Sequence, residues 1–240
     1  MKYSIFILVF LITKVTFSTD VNIICGKDTI SCENGGKDCF GMILYCPYDE
    51  ADTSKLPKII LDNCKKYLIS RVGESFYRRL YYNSCQIINF EDYNRIHLEK
   101  PYISGDDCDK KIKYSIMYYF KITDTLRYYL TLVFDKNGKI ISKDQLPNVN
   151  KNKSFSNMID ICEAVKIAKQ DSLFPGGVEN ISMEYSDKAN AFVWRIEKPS
   201  IKGKKKRISL ERFLIINANT GKLIKRETEE WNIVCEMQAF

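Results

Sequence analysis

Histidine, the most versatile catalytic and metal-binding side chain, is almost absent: His97 is the single histidine among 240 residues. This scarcity excludes a histidine-rich metal site and leaves little for a catalytic triad that needs an imidazole base. The G-x-S-x-G and G-x-x-x-x-G-K-[ST] signatures are also missing, which excludes the common serine-hydrolase elbow and the phosphate-binding loop. His97 lies between Ile96 and Leu98, where a lone histidine is typically structural. The sequence therefore predicts no catalytic, cofactor-binding or metal-binding residue.

Long apolar runs are missing too, except at the N-terminus, where Tyr3 to Ile12 is apolar apart from one serine. That run is shorter than the roughly 20 residues needed to cross a bilayer. Thr16 and Ser18 follow it at the spacing that signal peptidase recognises. We therefore predict a signal peptide over residues 1–18, with an anchoring helix as the alternative. The mature chain is expected to be secreted or periplasmic and to have no membrane span.

Closely spaced cysteine pairs are also missing. The chain contains nine cysteines, but no C-x-x-C occurs. Zinc sites usually bring cysteines two to four residues apart. Cys25, Cys32, Cys39 and Cys46 instead recur every seven residues, with turn-forming residues between them. In an exported chain this pattern favours a disulfide framework over a zinc site. Nine is an odd number, so one thiol is expected to stay free or to pair with another chain.

The excess of basic charge is mild. The formal net charge is +7, and loss of Lys2 and Lys14 with the signal peptide leaves +5. Together with export, this argues against a nucleic-acid partner. The densest basic stretch, residues 202–207, could attract an anionic lipid, a glycan or an acidic protein. A solvated hairpin tip, whose charges discourage edge pairing, is the interpretation that we favour.

Two acidic stretches resemble calcium ligands only superficially. Residues 105–109 contain three aspartates, but their spacing is not that of an EF-hand. Residues 135–138, Asp-Lys-Asn-Gly, lack the remaining EF-hand ligands and are typical of a hairpin turn. Neither stretch is predicted to bind a metal ion.

What the chain does contain is a helix followed by antiparallel strands in each half, which predicts an α+β fold. The first set is a helix over 56–72 that ends at Gly73, and strands over 76–90, 111–122 and 126–134. The second set is a helix over 158–169, capped by Ser156 or Asn157, and strands over 180–185, 191–198 and 208–216.

The two sets match in detail as well as in order. The turn in 134–141 has a counterpart in 216–224, which is one residue longer. We predict two similar units, 55–147 and 156–235, each a helix packed on an antiparallel meander sheet. A Cys-rich N-terminal segment, 19–54, precedes them, and the polar stretch 148–156 joins them.

The second unit resembles a PepSY domain, the small α+β module of peptidase propeptides. The resemblance rests on the helix segment 164–168, on the strand 191–196 with its central Trp194, and on the strand-turn-strand 215–224 with its Thr220-Gly221 turn. It implies a non-enzymatic module that restrains a peptidase or mediates an interaction outside the cytoplasm. The first unit shares the layout but lacks the tryptophan.

The sequence therefore predicts a binding module, possessing no enzymatic activity, that contacts a protein or peptide through an exposed sheet edge. A small disulfide-stabilised extracytoplasmic enzyme is the alternative, and the oligomeric state stays open. Alternation over 192–196 places Phe192, Trp194 and Ile196 on one face of their strand. We expect this face to pack beneath the second helix, against Cys162 and Val165.

Overall fold

Two mainly antiparallel sheets and two helices make up the described part of the protein, which comprises residues 21–36, 48–88, 111–202 and 208–232 of a computed structural model. The strands are β1 Val21–Cys25, β2 Asp28–Glu33, β3 Tyr48–Ala51, β4 Tyr81–Ile88, β5 Tyr114–Lys121, β6 Arg127–Phe134, β7 Asn180–Ser186, β8 Ala191–Lys202, β9 Ile208–Asn217 and β10 Leu223–Asn232. The helices are α1 Lys58–Tyr77 and α2 Ile161–Lys169, and a 3-10 turn spans Thr53–Lys55. The predicted α+β class is confirmed.

Several predictions fall on residues outside this description. They concern the signal peptide 1–18, His97, the acidic stretch 105–109 and the basic residues 203–207. No helix in the described ranges is long and apolar enough to cross a bilayer.

The larger sheet has six strands in the order β1-β2-β7-β8-β9-β10. Neighbouring strands in this sheet are antiparallel, except that β2 and β7 run parallel, with Ser31 opposite Asn180. The N-terminal hairpin β1–β2 is therefore part of the sheet formed by the second half of the chain. The smaller sheet has the order β3-β4-β5-β6 and is antiparallel throughout.

Helix α1 follows the predicted periodicity. Its buried residues recur every four positions, and they are Ile60, Cys64, Leu68, Val72 and Phe76. At Gly73 the backbone leaves the helical region with φ +76, a left-handed value that favours glycine. The regular helix thus ends where the sequence predicts, and one further turn follows.

Helix α2 begins later than the sequence predicts. Asp160 caps it, and its carboxylate accepts a hydrogen bond from the Glu163 N–H at 2.8 Å. The expected caps, Ser156 and Asn157, lie too early because the Ile159 N–H is bonded to the Ala218 carbonyl at 2.8 Å. This tertiary contact keeps the segment before Asp160 out of the helix.

A single hydrophobic core joins the two sheets. The Phe192 ring on β8 has its centroid within 5.1–6.2 Å of four other rings. They belong to Phe76, Phe120, Tyr128 and Phe155. Phe155 comes from the polar connection 148–156 and is only 2% exposed, so this connection is anchored in the core.

Trp194 is buried as predicted, with 1% of its surface exposed. It shares the main core with Phe192, Ile196 and Val165. Val193 belongs to a separate small cluster with Phe213 and Ile215, which confirms the predicted alternation of faces.

The structure describes five of the nine cysteines, and Cys39, Cys46, Cys108 and Cys235 lie outside the described residues. Cys25 on β1 is bonded to Cys162 on α2 across 137 residues. Cys32 and Cys64, however, are buried thiols without a disulfide partner, so the expectation that a single thiol stays unpaired within the chain is wrong. Each belongs to the hydrophobic core, where a thiol packs as a small apolar group. Burial raises the pKa of Cys32 and of Cys64 to about 11, which keeps both thiols protonated and unreactive.

Candidate functional site

The segment that follows β2 hydrogen-bonds the outward backbone groups in the first half of edge strand β6, and we call an edge bonded in this way closed. The Asn34 side chain accepts a hydrogen bond from the Arg127 N–H at 2.9 Å. Gly35 donates to the Arg127 carbonyl and accepts from the Tyr129 N–H, both at 2.9 Å. The Gly35 backbone therefore serves as a short additional strand at this edge.

The second half of β6 is closed by the chain that follows it. The Gln145 side chain accepts from the Thr131 N–H at 3.1 Å and donates to the Thr131 carbonyl at 2.9 Å. The Ser142 hydroxyl accepts from the Val133 N–H at 3.2 Å, and the Ile141 N–H donates to the Val133 carbonyl at 2.9 Å. The outward backbone groups of β6 are thus satisfied within the molecule and do not offer a site for another chain.

Edge strand β10 differs from β6. It has ten residues and pairs with β9 on one side only. Within the described ranges, no other backbone or side-chain group bonds its outward N–H and C=O groups. The remaining edges, β1 and β3, have only five and four residues. β10 is therefore the longest open edge in the described structure.

An ion pair holds β10 in position. The Arg226 Nη2 and Nε atoms lie 2.6 and 3.0 Å from Oδ2 of Asp171, which follows α2. Asp171 also accepts a hydrogen bond from the Phe174 N–H at 2.8 Å. The Arg226 hydrogen bonds lower the pKa of the Asp171 carboxyl, so the pair stays charged at neutral pH.

Lys198 on β8, whose charge interacts with that of Asp171, is fully buried. Its ammonium group donates to the Ala168 carbonyl at 3.1 Å and to the Gly176 carbonyl at 2.7 Å. It thereby satisfies the C-terminal end of α2 and fastens the loop that carries Asp171. Burial lowers the pKa of Lys198.

The face of this sheet opposite α2 is centred on Arg195. Its guanidinium carbon lies 3.5 Å from the centre of the Phe213 ring. Its two terminal nitrogens bond Glu227 at 3.2 Å and Glu229 at 2.8 Å, both on β10. We call this side of the sheet the outer face. Arg195 thus links the central strand β8 to the open edge.

Among the side chains that the structure describes, carboxylates outnumber cations on the outer face. Glu211 on β9 lies directly opposite Glu229 on β10, and like charges in this relation repel each other. Burial raises the pKa of Glu197 on β8, and the negative charges of Glu211, Glu179 and Glu33 raise it further. Such a surface favours ligands that carry positive charge or donate hydrogen bonds.

Two concave regions lie on this sheet. A polar depression of about 100 Å³ on the outer face is lined by Glu33, Asn180, Ser182, Arg195, Glu197 and Phe213. A groove of about 510 Å³ lies beside the disulfide, between the β1–β2 turn and α2. In the part of the chain that the structure describes, no three His, Cys, Asp or Glu side chains are grouped as metal ligands.

The residues that the sequence analysis weighed are not assembled into a site. Trp194 belongs to the core, and Asp135 forms the predicted hairpin turn by accepting bonds from the Asn137 and Lys139 N–H groups, both at 2.9 Å. The open edge was missed, because residues 225–230 are charged apart from one threonine and have low strand propensity.

Comparison with known proteins adds little. No protein-family model matches the chain, and no curated protein matches it. Among solved structures, it is similar to a putative lipoprotein from Clostridium difficile 630, at 16% sequence identity. The match covers 50% of this chain and 76% of the lipoprotein, with a TM-score of 0.26, which carries no information about the function of this chain.

Proposed function

We propose that this protein is a non-enzymatic binding module that captures an extended segment of another polypeptide along β10. The main support is the difference in backbone hydrogen bonding between the edge strands β6 and β10. β6 has its outward backbone groups bonded internally, whereas β10 exposes those groups over ten residues. Strand addition at such an edge supplies main-chain hydrogen bonds to an incoming peptide.

The rigidity of the edge favours this role. Arg226 is tied to Asp171, and Arg195 joins Glu227 and Glu229 to the central strand. An edge already held in strand geometry loses little conformational entropy when a partner strand is added. The partner alone is then ordered on binding.

The PepSY resemblance suggests that the captured segment belongs to a peptidase, which the protein would restrain. Two similar units are part of this proposal. In its support, α1 precedes the antiparallel strands β4–β6, and α2 precedes the antiparallel strands β7–β10.

A location outside the cytoplasm, secreted or periplasmic, completes the proposal. The Cys25–Cys162 disulfide supports it, because structural disulfides persist mainly in oxidising compartments.

The test has two arms on the purified mature protein. In the first, secreted peptidases of the serine, cysteine, aspartic and metallo classes are assayed with increasing amounts of the protein. We expect inhibition of at least one class. In the second, the protein alone is assayed for peptide hydrolysis, and turnover would instead support the disulfide-stabilised enzyme.

Hydrogen–deuterium exchange identifies the contact surface in any complex that forms. We expect protection of amides in 223–232 upon binding, with β6 as the internal control because its amides are already bonded. A complex that leaves β10 unprotected would overturn the proposed mode of binding.

A further inference from the structure

We infer that the segment captured at β10 is basic, with lysine or arginine at alternate positions that face the outer face of the sheet. This inference rests on the proposed function and specifies the chemistry of the partner.

The side chains on the outer face have an excess of negative charge. From β2 to β10, the carboxylates on this face outnumber the cations by six to two among the side chains that the structure describes. The carboxylates are Glu33, Glu184, Glu197, Glu211, Glu227 and Glu229, and the cations are Arg195 and Lys225. Arg195 is shared among three of the carboxylates, at 2.8, 3.2 and 3.8 Å.

The excess is concentrated beside the open edge. Glu211 lies opposite Glu229, and within the described ranges the Glu211 carboxylate has no hydrogen bond or ion pair. An added strand would lie about 4.8 Å from β10, and every second side chain would stand on the outer face. A cation there would be a cross-strand neighbour of Glu227 or Glu229.

A second copy of this chain fits the edge less well. Antiparallel pairing of two β10 strands brings residues of the same face opposite each other, which would place Lys225 opposite Glu229 in one register and Arg226 opposite Glu230 in another. Both cations are already engaged, Lys225 with Glu227 and Arg226 with Asp171. Self-pairing would therefore compete with ion pairs that exist, whereas a basic segment brings cations of its own.

The test uses three fluorescein-labelled peptides of equal length, in which valine and threonine alternate with lysine, glutamine or glutamate. Fluorescence anisotropy measures their dissociation constants for the intact mature protein at low salt. We expect the lysine peptide to bind about tenfold more tightly than the glutamine peptide, and the glutamate peptide to bind most weakly. The differences should shrink at high salt.

A matched pair of protein variants locates the preference. Glu211→Gln should reduce the preference for lysine over glutamine, whereas Glu163→Gln, an exposed residue on α2, should leave it unchanged. Circular dichroism confirms that both variants fold.

The outcomes separate the two proposals. Equal affinities for the three peptides, with exchange protection at 223–232, would overturn the basic preference and leave strand addition intact. Peptide binding that protects other residues, or no binding at all, would overturn both. Concentration-dependent dimerisation that protects β10 without peptide would also overturn both, because the occupant would be a second copy.

Discussion

The Gln145 side-chain amide pairs with the Thr131 backbone as a neighbouring strand would, accepting from its N–H at 3.1 Å and donating to its carbonyl at 2.9 Å. This pairing closes the centre of the β6 edge. No comparable side chain hydrogen-bonds the outward backbone of β10 within the described structure. One chain thus contains a closed edge and an open one, and this difference underlies the proposed function.

Replacing Gln145 by methionine should destabilise the protein by about 1–3 kcal/mol, because the buried N–H and C=O of Thr131 lose their partners. Urea denaturation measures the change in the free energy of unfolding. Gln170→Met, at an exposed position after α2, is the matched control and should have little effect. Equal midpoints for the two variants would show that the Gln145 amide does not close the edge.

Trp194→Ala should lower the free energy of unfolding by about 3–5 kcal/mol, the usual cost of removing a large buried aromatic side chain. Trp194→Phe should cost much less, because the indole N–H is buried and has no hydrogen-bond partner among the described residues. Thermal unfolding distinguishes the two variants. A shift of only a degree or two for the alanine variant would contradict the burial of this residue.

Acid should weaken the attachment of β10. The pKa of Asp171 is lowered in the folded state, chiefly by the Arg226 hydrogen bonds. The pair therefore stabilises the fold fully above the unfolded-state pKa, about 4 for aspartate, and this contribution is lost as pH falls through the folded-state pKa. Asp171→Asn should remove that part of the acid dependence, as measured by urea unfolding between neutral and acidic pH.

The control for this pH series is Asp62→Asn. Asp62 pairs with Lys58 on the exposed surface of α1, and exposed pairs of this kind contribute little to stability. An acid dependence that is the same in Asp171→Asn as in the parent protein would mean that the Arg226 pair does not contribute.

Reduction of the Cys25–Cys162 disulfide should destabilise the protein by about 2–5 kcal/mol, since the bond closes a long loop in the unfolded chain. The Cys25→Ser/Cys162→Ser double variant should reproduce the loss without reductant. Differential scanning calorimetry of both proteins, with and without reductant, measures the effect. A double variant whose midpoint still falls on reduction would point to a further bridge.

Local periodicity was sufficient to predict several elements. Apolar residues at intervals of four along 60–72 predict the buried face of α1, and alternation over 192–196 predicts that Trp194 faces the core. Both patterns arise from the geometry of a single helix or strand, so the residues involved are close in sequence. Glycine at position 73 likewise marks the end of the regular helix because its conformation is a local property.

The sequence by itself thus determined the α+β class, the main helices and the buried faces. Only the tertiary structure decided that β1–β2 joins the second half of the chain, that Cys162 bonds Cys25, and that β6 is closed while β10 is open. Each of these depends on partners far apart in sequence, such as Cys25 and Cys162, 137 residues apart. A strand is an edge strand when it has no neighbouring strand on one side. Its own residues do not determine whether such a neighbour is present.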